Sequence, residues 1–272
     1  MNPFLIPTIA GTLAFFFVGI WLAHRATSGS LQLLLVILGV VTAIPAFLYV
    51  IFYTGVLGEA GWFYSFRAVP GTELAAGGAG LFAGWLQAKR NQSPRVKKLM
   101  SAGFIPFLLV LGVAIPYLKQ TFLRPHWNDF SDRWSEGVCL QSSESSCGPA
   151  SAATLLSLFG KPASEKQIAQ EAFTSRRGTE NWYLIRTLRR QGLNAEYLID
   201  PPGSVDLHSP SITGVRLGGQ TGTGHFIAVL EKETNGFIIA DPLTGRKMMT
   251  EKQLLNRYYF TGFSILVTTN PP

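Results

Sequence analysis

A thiol, an imidazole, a carboxylate and a side-chain amide stand in this chain where they can act together. Cys147 lies in the stretch Gln141-Ser-Ser-Glu-Ser-Ser-Cys147-Gly148-Pro149. An apolar, helix-permissive run follows from Ala150 to Phe159, closed by Gly160. Proline is at home in a first helical turn, where its missing N–H costs nothing. Cys147 is therefore expected at a helix mouth, where the positive end of the helix dipole and unpaired backbone N–H groups favour a thiolate, the nucleophilic form. The Gln141 amide can fold back so that it and the Cys147 backbone N–H converge on one oxygen, as an oxyanion hole does. A nucleophile of this kind needs a base, and the base needs an orienting group. His225 opens the strand-like run Gly224–Leu230, and Asp241 ends the next run, Gly236–Asp241. The turn between them, 231–236, suits a hairpin that sets base and carboxylate side by side.

Each residue taken singly has a plainer reading. A cysteine at a helix start is more often a buried small hydrophobe, a histidine at a strand start more often a satisfied structural group, and an aspartate before proline a turn residue. The four together reverse that balance, because a purely structural domain has no need of all of them. Ser142, Ser143, Ser145 and Ser146 offer rival hydroxyls but lack the helix-start position, and read as loop.

These residues resemble the bacteriocin-processing, double-glycine leader peptidases, a papain-like cysteine peptidase family. The likeness rests on Gln-x5-Cys-Gly before a small-residue helix, on Gly224-His225-Phe-Ile-Ala-Val, and on Ala240-Asp241-Pro242 with Gly245 behind it. It spans residues 137–268. It implies Cys147 as nucleophile, His225 as general base and acid, Asp241 as orienter and Gln141 as oxyanion donor. It also implies a peptide or protein substrate cut after a small-residue pair such as Gly-Gly, and no cofactor. The chain departs from the family's exporters in two ways. Its domain follows membrane segments instead of preceding them, and no G-x-x-x-x-G-K-[ST] occurs, since Gly160-Lys161 runs into Pro162. No nucleotide is expected to bind. Two alternatives stay open: a catalytically silent peptide-binding module, and an accessory subunit of a separate peptide exporter.

The formal charge of +7 argues against nucleic acid once it is located. Residues 1–124 hold nine Lys/Arg against two Asp/Glu, while residues 125–272 hold fourteen of each. The excess lies in the apolar half and reads as membrane topology, so a basic nucleic-acid-binding surface on the remainder has no support. Two cysteines, Cys139 and Cys147, exclude a disulfide scaffold, and the four histidines show no metal-ligand spacing. Cys139, in a short apolar run, reads as a buried thiol.

Residues 1–123 read as a multi-span α-helical membrane region with about four helices, at 4–24, 31–53, 70–88 and 100–118. Small residues at Gly77, Gly78, Gly80 and Gly84 suit close helix packing in the third. Five positive charges within 89–98 place that loop in the cytoplasm. The last span then carries the C-terminal part outside, making a multi-pass protein of the cell membrane with an extracytoplasmic domain and the lipid bilayer as a partner. Residues 124–136 read as a juxtamembrane linker. Residues 137–272 read as an α+β domain, with helices packed on a mostly antiparallel sheet. Ser164–Gln167 is a capping-box pattern. Thr179 is expected to cap a helix running to Arg190, with Arg186, Arg189 and Arg190 as its solvated face.

Overall fold

The computed structural model describes residues 2–56, 60–101 and 103–269. The chain divides into two compact units, one of Met1–Gly58 with Pro70–Phe122, the other of Glu59–Val69 with Leu123–Pro272.

The first unit is helical. Helix α1 spans Leu5–Arg25 and α2 spans Gly29–Tyr53, with the Ser28 hydroxyl accepting from Leu31 N at its start. A 3-10 segment, Thr72–Gly78, runs into α4, Ala79–Lys89; the helix between α2 and this segment, α3 (Gly61–Ala68), belongs to the other unit. Helix α5 covers Pro94–Ser101 and α6 covers Phe104–Phe122. Helices α1, α2 and α6 are long and apolar enough to cross a membrane. The close packing expected of small residues is visible. A Cβ at Gly80 would collide with the Thr12 carbonyl oxygen, and one at Gly84 with that of Phe16, so α4 lies directly on the backbone of α1. The final helix begins four residues later than the sequence suggests. Gly103 takes a left-handed φ of 71°, which separates the amphipathic, basic α5 from the apolar α6.

The second unit begins with α3, Gly61–Ala68. The sequence reading placed this stretch within the membrane region, but it packs with residues from 123 onward. After a 3-10 turn at Trp127–Asp129, strands β1 (Arg133–Ser135) and β2 (Val138–Leu140) form an antiparallel pair, so the end of the expected linker is already ordered structure. Three helices follow: α7 (Cys147–Leu158), α8 (Glu165–Glu171) and α9 (Asn181–Arg190). Strands β3 (Asn194–Ile199), β4 (Ser211–Leu217), β5 (Thr223–Glu233), β6 (Gly236–Asp241) and β7 (Gly245–Met249) precede the short α10 (Glu251–Arg257) and β8 (Tyr258–Thr268). Six strands form one sheet in the order β3-β8-β4-β5-β6-β7, with antiparallel neighbours throughout. Helix α7 lies against β5. Val215, Ile227, Val229, Ile239, Leu254 and Phe260 form a buried core that includes α10. This is the α+β class expected, with helices on an antiparallel sheet.

Local signals are mostly obeyed. Ser164 accepts from Gln167 N at the start of α8, and Thr250 with Gln253 closes a reciprocal capping box on α10. Thr179 does not cap α9; its hydroxyl pairs with that of Thr174 at 2.7 Å, and Glu180 takes the cap position. Arg186 is the larger correction. It is buried, not solvated, and donates to the Arg67 carbonyl oxygen (3.0 Å from Nε) and to that of Val69 (2.8 Å from Nη2). These are carbonyls at the C-terminal end of α3, which have no intrahelical partners and which a cation suits. Arg67 in turn lies over Trp182 at 5.0 Å and donates to Tyr183 Oη at 3.4 Å. Replacing Arg186 with Met strands those carbonyls. We expect it to cost about 1.5–3 kcal/mol, the range for hydrogen bonds from a charged donor, and to open residues 60–69 to limited proteolysis. Arg190→Met, on the exposed side, should change stability by no more than about 0.5 kcal/mol.

Candidate active site

Helix α7 starts at Cys147 itself, so the thiol occupies the first helical position, where backbone N–H groups lack intrahelical acceptors. Gly148 follows because α7 runs tightly against α9: a Cβ there would lie 2.9 Å from Leu184 Cδ1. The preceding loop folds on itself. Ser146 N donates to Ser143 O (3.2 Å), the Ser146 hydroxyl to the same oxygen (3.0 Å), and Ser143 N to Ser146 Oγ (3.0 Å). The buried Glu165 carboxylate accepts from both the backbone N–H and the hydroxyl of Ser142. Ser142, Ser143 and Ser146 therefore serve the loop, and the Ser145 hydroxyl pairs with that of Ser143 at 3.1 Å while the residue borders the cleft.

His225 and Asp241 meet as the hairpin suggests. Ala228 of β5 stands opposite Ala240 of β6. Asp241 is one step from Ala240 and His225 three steps from Ala228, so parity puts both side chains on the same face of the sheet. His225 Nε2 lies 3.0 Å from Asp241 Oδ1. Cys147 lies beside His225 on the same cavity, near enough to act on the imidazole's protonation. With Nε2 committed to the carboxylate, Nδ1 is the nitrogen that remains for the thiol.

Asp241 is held from every side. Oδ1 accepts from Leu243 N at 2.9 Å as well as from His225, and Oδ2 accepts from Tyr258 Oη at 2.8 Å, Thr244 Oγ1 at 3.0 Å and Arg257 Nη2 at 3.1 Å. Burial alone would raise this carboxyl. The bonds from His225, Leu243 and Tyr258, with the charge of His225, overcome it and hold Asp241 well below the usual carboxylate range. Burial likewise would push His225 down, but the hydrogen bond to Asp241, the neighbouring Cys147 sulfur and the Asp241 charge outweigh it and raise the imidazole to about 9. Burial and the Asp241 charge push the Tyr258 phenol up, which keeps it a donor.

Gln141 is placed differently from the other three. Its backbone N–H donates to Pro242 O at 3.0 Å, tying the end of β2 to the turn after Asp241. Its side-chain amide donates to Ser143 O at 2.7 Å, and it is not among the residues lining the cleft. The structure thus joins Cys147, His225 and Asp241 and leaves Gln141 one loop away, with one amide N–H spent on Ser143. Cys139 is fully buried. Burial first, then the charges of Glu165 and Asp132, pushes its thiol up to about 12, so it stays protonated. Both cysteines are free.

The thiol and imidazole border a cavity of about 510 Å³. Its wall includes Phe226, Phe263, Gly214 and Asn181, with Thr223 and Gly224 from the end of the glycine-rich turn and Arg176, Arg177 and Arg216 as cations. Sequence reasoning missed Arg257 and Tyr258, which only the fold brings to Asp241. It also missed Thr244, for which the Asp-Pro-Leu-Thr turn gave a signal. Away from the cleft, Asp200, Asp206 and His208 bring ligand-type atoms within 4.8 Å of one another, in a partly exposed group that shares no residue with it.

The Peptidase C39 family model matches residues 135–272. An uncharacterized protein of Methanothermobacter thermautotrophicus is 32% identical over 136 residues, 50% of this chain and 90% of that protein. One from Methanothermobacter marburgensis is 35% identical over 132 residues, 48% and 88% of the two chains. Among solved structures, the peptidase domain of Streptococcus ComA, a bi-functional ABC transporter of a quorum sensing pathway, matches with 21% identity and a TM-score of 0.41, over 49% of this chain and 98% of that one. A double glycine motif protease from an AMS/PCAT transporter, in complex with its leader peptide, matches with 21% identity and a TM-score of 0.42, over 49% and 91%.

The shifts set a pH dependence. His225 binds its proton more tightly folded than unfolded, so its contribution to stability is complete below about pH 6.5 and is lost as pH rises to about 9. Asp241 acts in the opposite sense: its contribution is present above the ordinary carboxylate range and is lost as pH falls below it. Denaturation midpoints should fall across the His225 window, and His225→Gln should flatten that slope. By NMR titration, Cys147→Ala should lower the His225 pKa, because the neighbouring sulfur helps to raise it.

Proposed function

The chain belongs to the Peptidase C39 family, and from that premise we propose that it is a membrane-anchored cysteine peptidase. The observation that carries this reading is His225 held between Cys147 and Asp241 beside an open cleft. In the reaction, Cys147 Sγ attacks the scissile carbonyl carbon while His225 Nδ1 holds the proton that leaves the thiol. The carbonyl oxygen gathers charge as the tetrahedral intermediate forms. The Cys147 backbone N–H and the Gln141 amide, turned from Ser143 by the bound substrate, stabilise it. Collapse breaks the C–N bond, and His225 returns its proton to the departing amine. A thioester on Cys147 remains. His225 then takes a proton from water, whose oxygen attacks the thioester, and the acid product leaves as the proton returns to sulfur. Asp241 keeps the ring in one orientation and balances the imidazolium charge throughout.

We place the reaction outside the cytoplasm. Helix α3, which lies between α2 and the next apolar segment, belongs to the same compact unit as residues 123–272, so these two stretches share a membrane side. The basic run 89–98 is separated from residue 123 by α6 and is favoured on the cytoplasmic face. The substrate is a peptide cut after a small-residue pair, by kinship with double-glycine proteases, and a separate exporter is its natural partner because the ComA and AMS/PCAT neighbours come from transporters.

The test is cleavage of Gly-Gly and Gly-Ala peptides by the full chain in detergent, read by mass spectrometry. The parent should cut and Cys147→Ala should not. Gln141→Ala should lower kcat by about 100- to 1,000-fold, the cost of losing one oxyanion donor. Cutting by Cys147→Ala at the parent's rate would overturn the assignment.

A further inference from the structure

Helix α3 does more than pack on the second unit. Its buried side chains are Phe63, Tyr64, Arg67 and Ala68, a stripe along one face. Arg67 and the carbonyls that Arg186 holds fix this helix to α9, and Gly61 sits close against β3, where a Cβ would lie 2.9 Å from Ile199 Cγ1. The clamp leaves the Tyr64 ring in a set place. It meets Phe263 edge-on at 5.6 Å, and also lies near Tyr197 (5.6 Å) and Trp182 (6.4 Å). Phe263 continues to Phe226, at 6.1 Å, next in sequence to His225. Tyr64 therefore ends an aromatic wall that begins beside the base, and it lines the same cavity as Cys147. Gly214, which also lines the cavity, packs against the same wall: a Cβ there would stand 2.8 Å from Thr261 Oγ1 and 3.2 Å from Phe263 Cδ1.

We propose that Tyr64 is a specificity-determining residue, the end wall that sets the depth of the cleft and confines its occupant to small side chains. For a peptide occupant this rests on the peptidase reading; as a statement about the cleft's size it does not. Tyr64 is only 5% exposed, so it acts as a fixed wall and not as a movable lid. Shortening it extends the cleft toward Trp182 and Tyr197.

The test uses the full chain in detergent and two readouts. The first is alkylation of Cys147 by iodoacetamide and by its N-benzyl derivative, with the modified residue located by mass spectrometry. The second is cleavage of a Gly-Gly peptide against one with Phe replacing a glycine at the cut. Tyr64→Ala should raise the bulky-to-small ratio in both by about tenfold, the low end of what a change in apolar pocket size gives. Its rate with iodoacetamide itself should stay the same. Tyr64→Leu should lie between, and Tyr64→Phe should match the parent, because the ring and not the hydroxyl makes the wall. If Tyr64→Ala does not fold, Tyr64→Leu carries the comparison. Unchanged alkylation ratios in a folded variant would overturn the proposal. Shifted alkylation ratios with no peptide cut by the parent would uphold the wall and overturn the peptidase reading.

Discussion

The bond between Asp241 and His225 Nε2 is the constraint on which the site depends. It selects the nitrogen that faces the thiol, since one ring nitrogen committed to a carboxylate leaves the other for Cys147. It holds only because the carboxylate is itself fixed. Four further donors, from Leu243, Thr244, Arg257 and Tyr258, converge on its two oxygens. Three of these are neutral or backbone groups that stay put when pH changes, and Arg257 keeps its charge throughout. An ionised group buried this deeply is tolerable when such donors replace the lost water. The fold supplies them from three places: the turn after β6, the last residue of α10 and the first of β8.

A second constraint joins the thiol to the same anchor. The Gln141 backbone donates to Pro242, one residue past Asp241, and the loop from Gln141 to Cys147 is fixed by its own serines and by Glu165. Cys147 is thus positioned from two sides, by a helix start that presses Gly148 against α9 and by a loop pinned to the turn that carries the carboxylate. Within this loop the Gln141 amide nitrogen donates to the Ser143 carbonyl, while its buried side-chain oxygen has no hydrogen-bond partner.

How much of this was legible depended on sequence distance. The helix mouth at Cys147, the hairpin that pairs His225 with Asp241, and the cap at Ser164 are local patterns, and each is written in a few consecutive residues. The α+β class followed from the order of such patterns. Arg186 was misread because its neighbours Arg189 and Arg190 suggest a solvated face, and nothing nearby in the chain reveals that it meets carbonyls of α3. Tyr258 and Arg257 were invisible for the same reason, since a phenol and a guanidinium at a helix end have many roles. The hardest feature was α3 itself. Lying between apolar segments, its eight residues looked like part of the membrane region, and only tertiary packing assigns them to the unit that holds the site. The 100–118 span was displaced because hydropathy does not register the left-handed Gly103 that ends α5.

The central claim is that Cys147 carries the acyl group, and trapping that intermediate tests it most directly. A peptide ester ending in Gly-Gly, mixed with the full chain and quenched in acid within the first turnover, should leave the acyl mass on the tryptic fragment that holds Cys147. Release of the product acid with no adduct on that fragment, or with the adduct on another residue, would contradict the account.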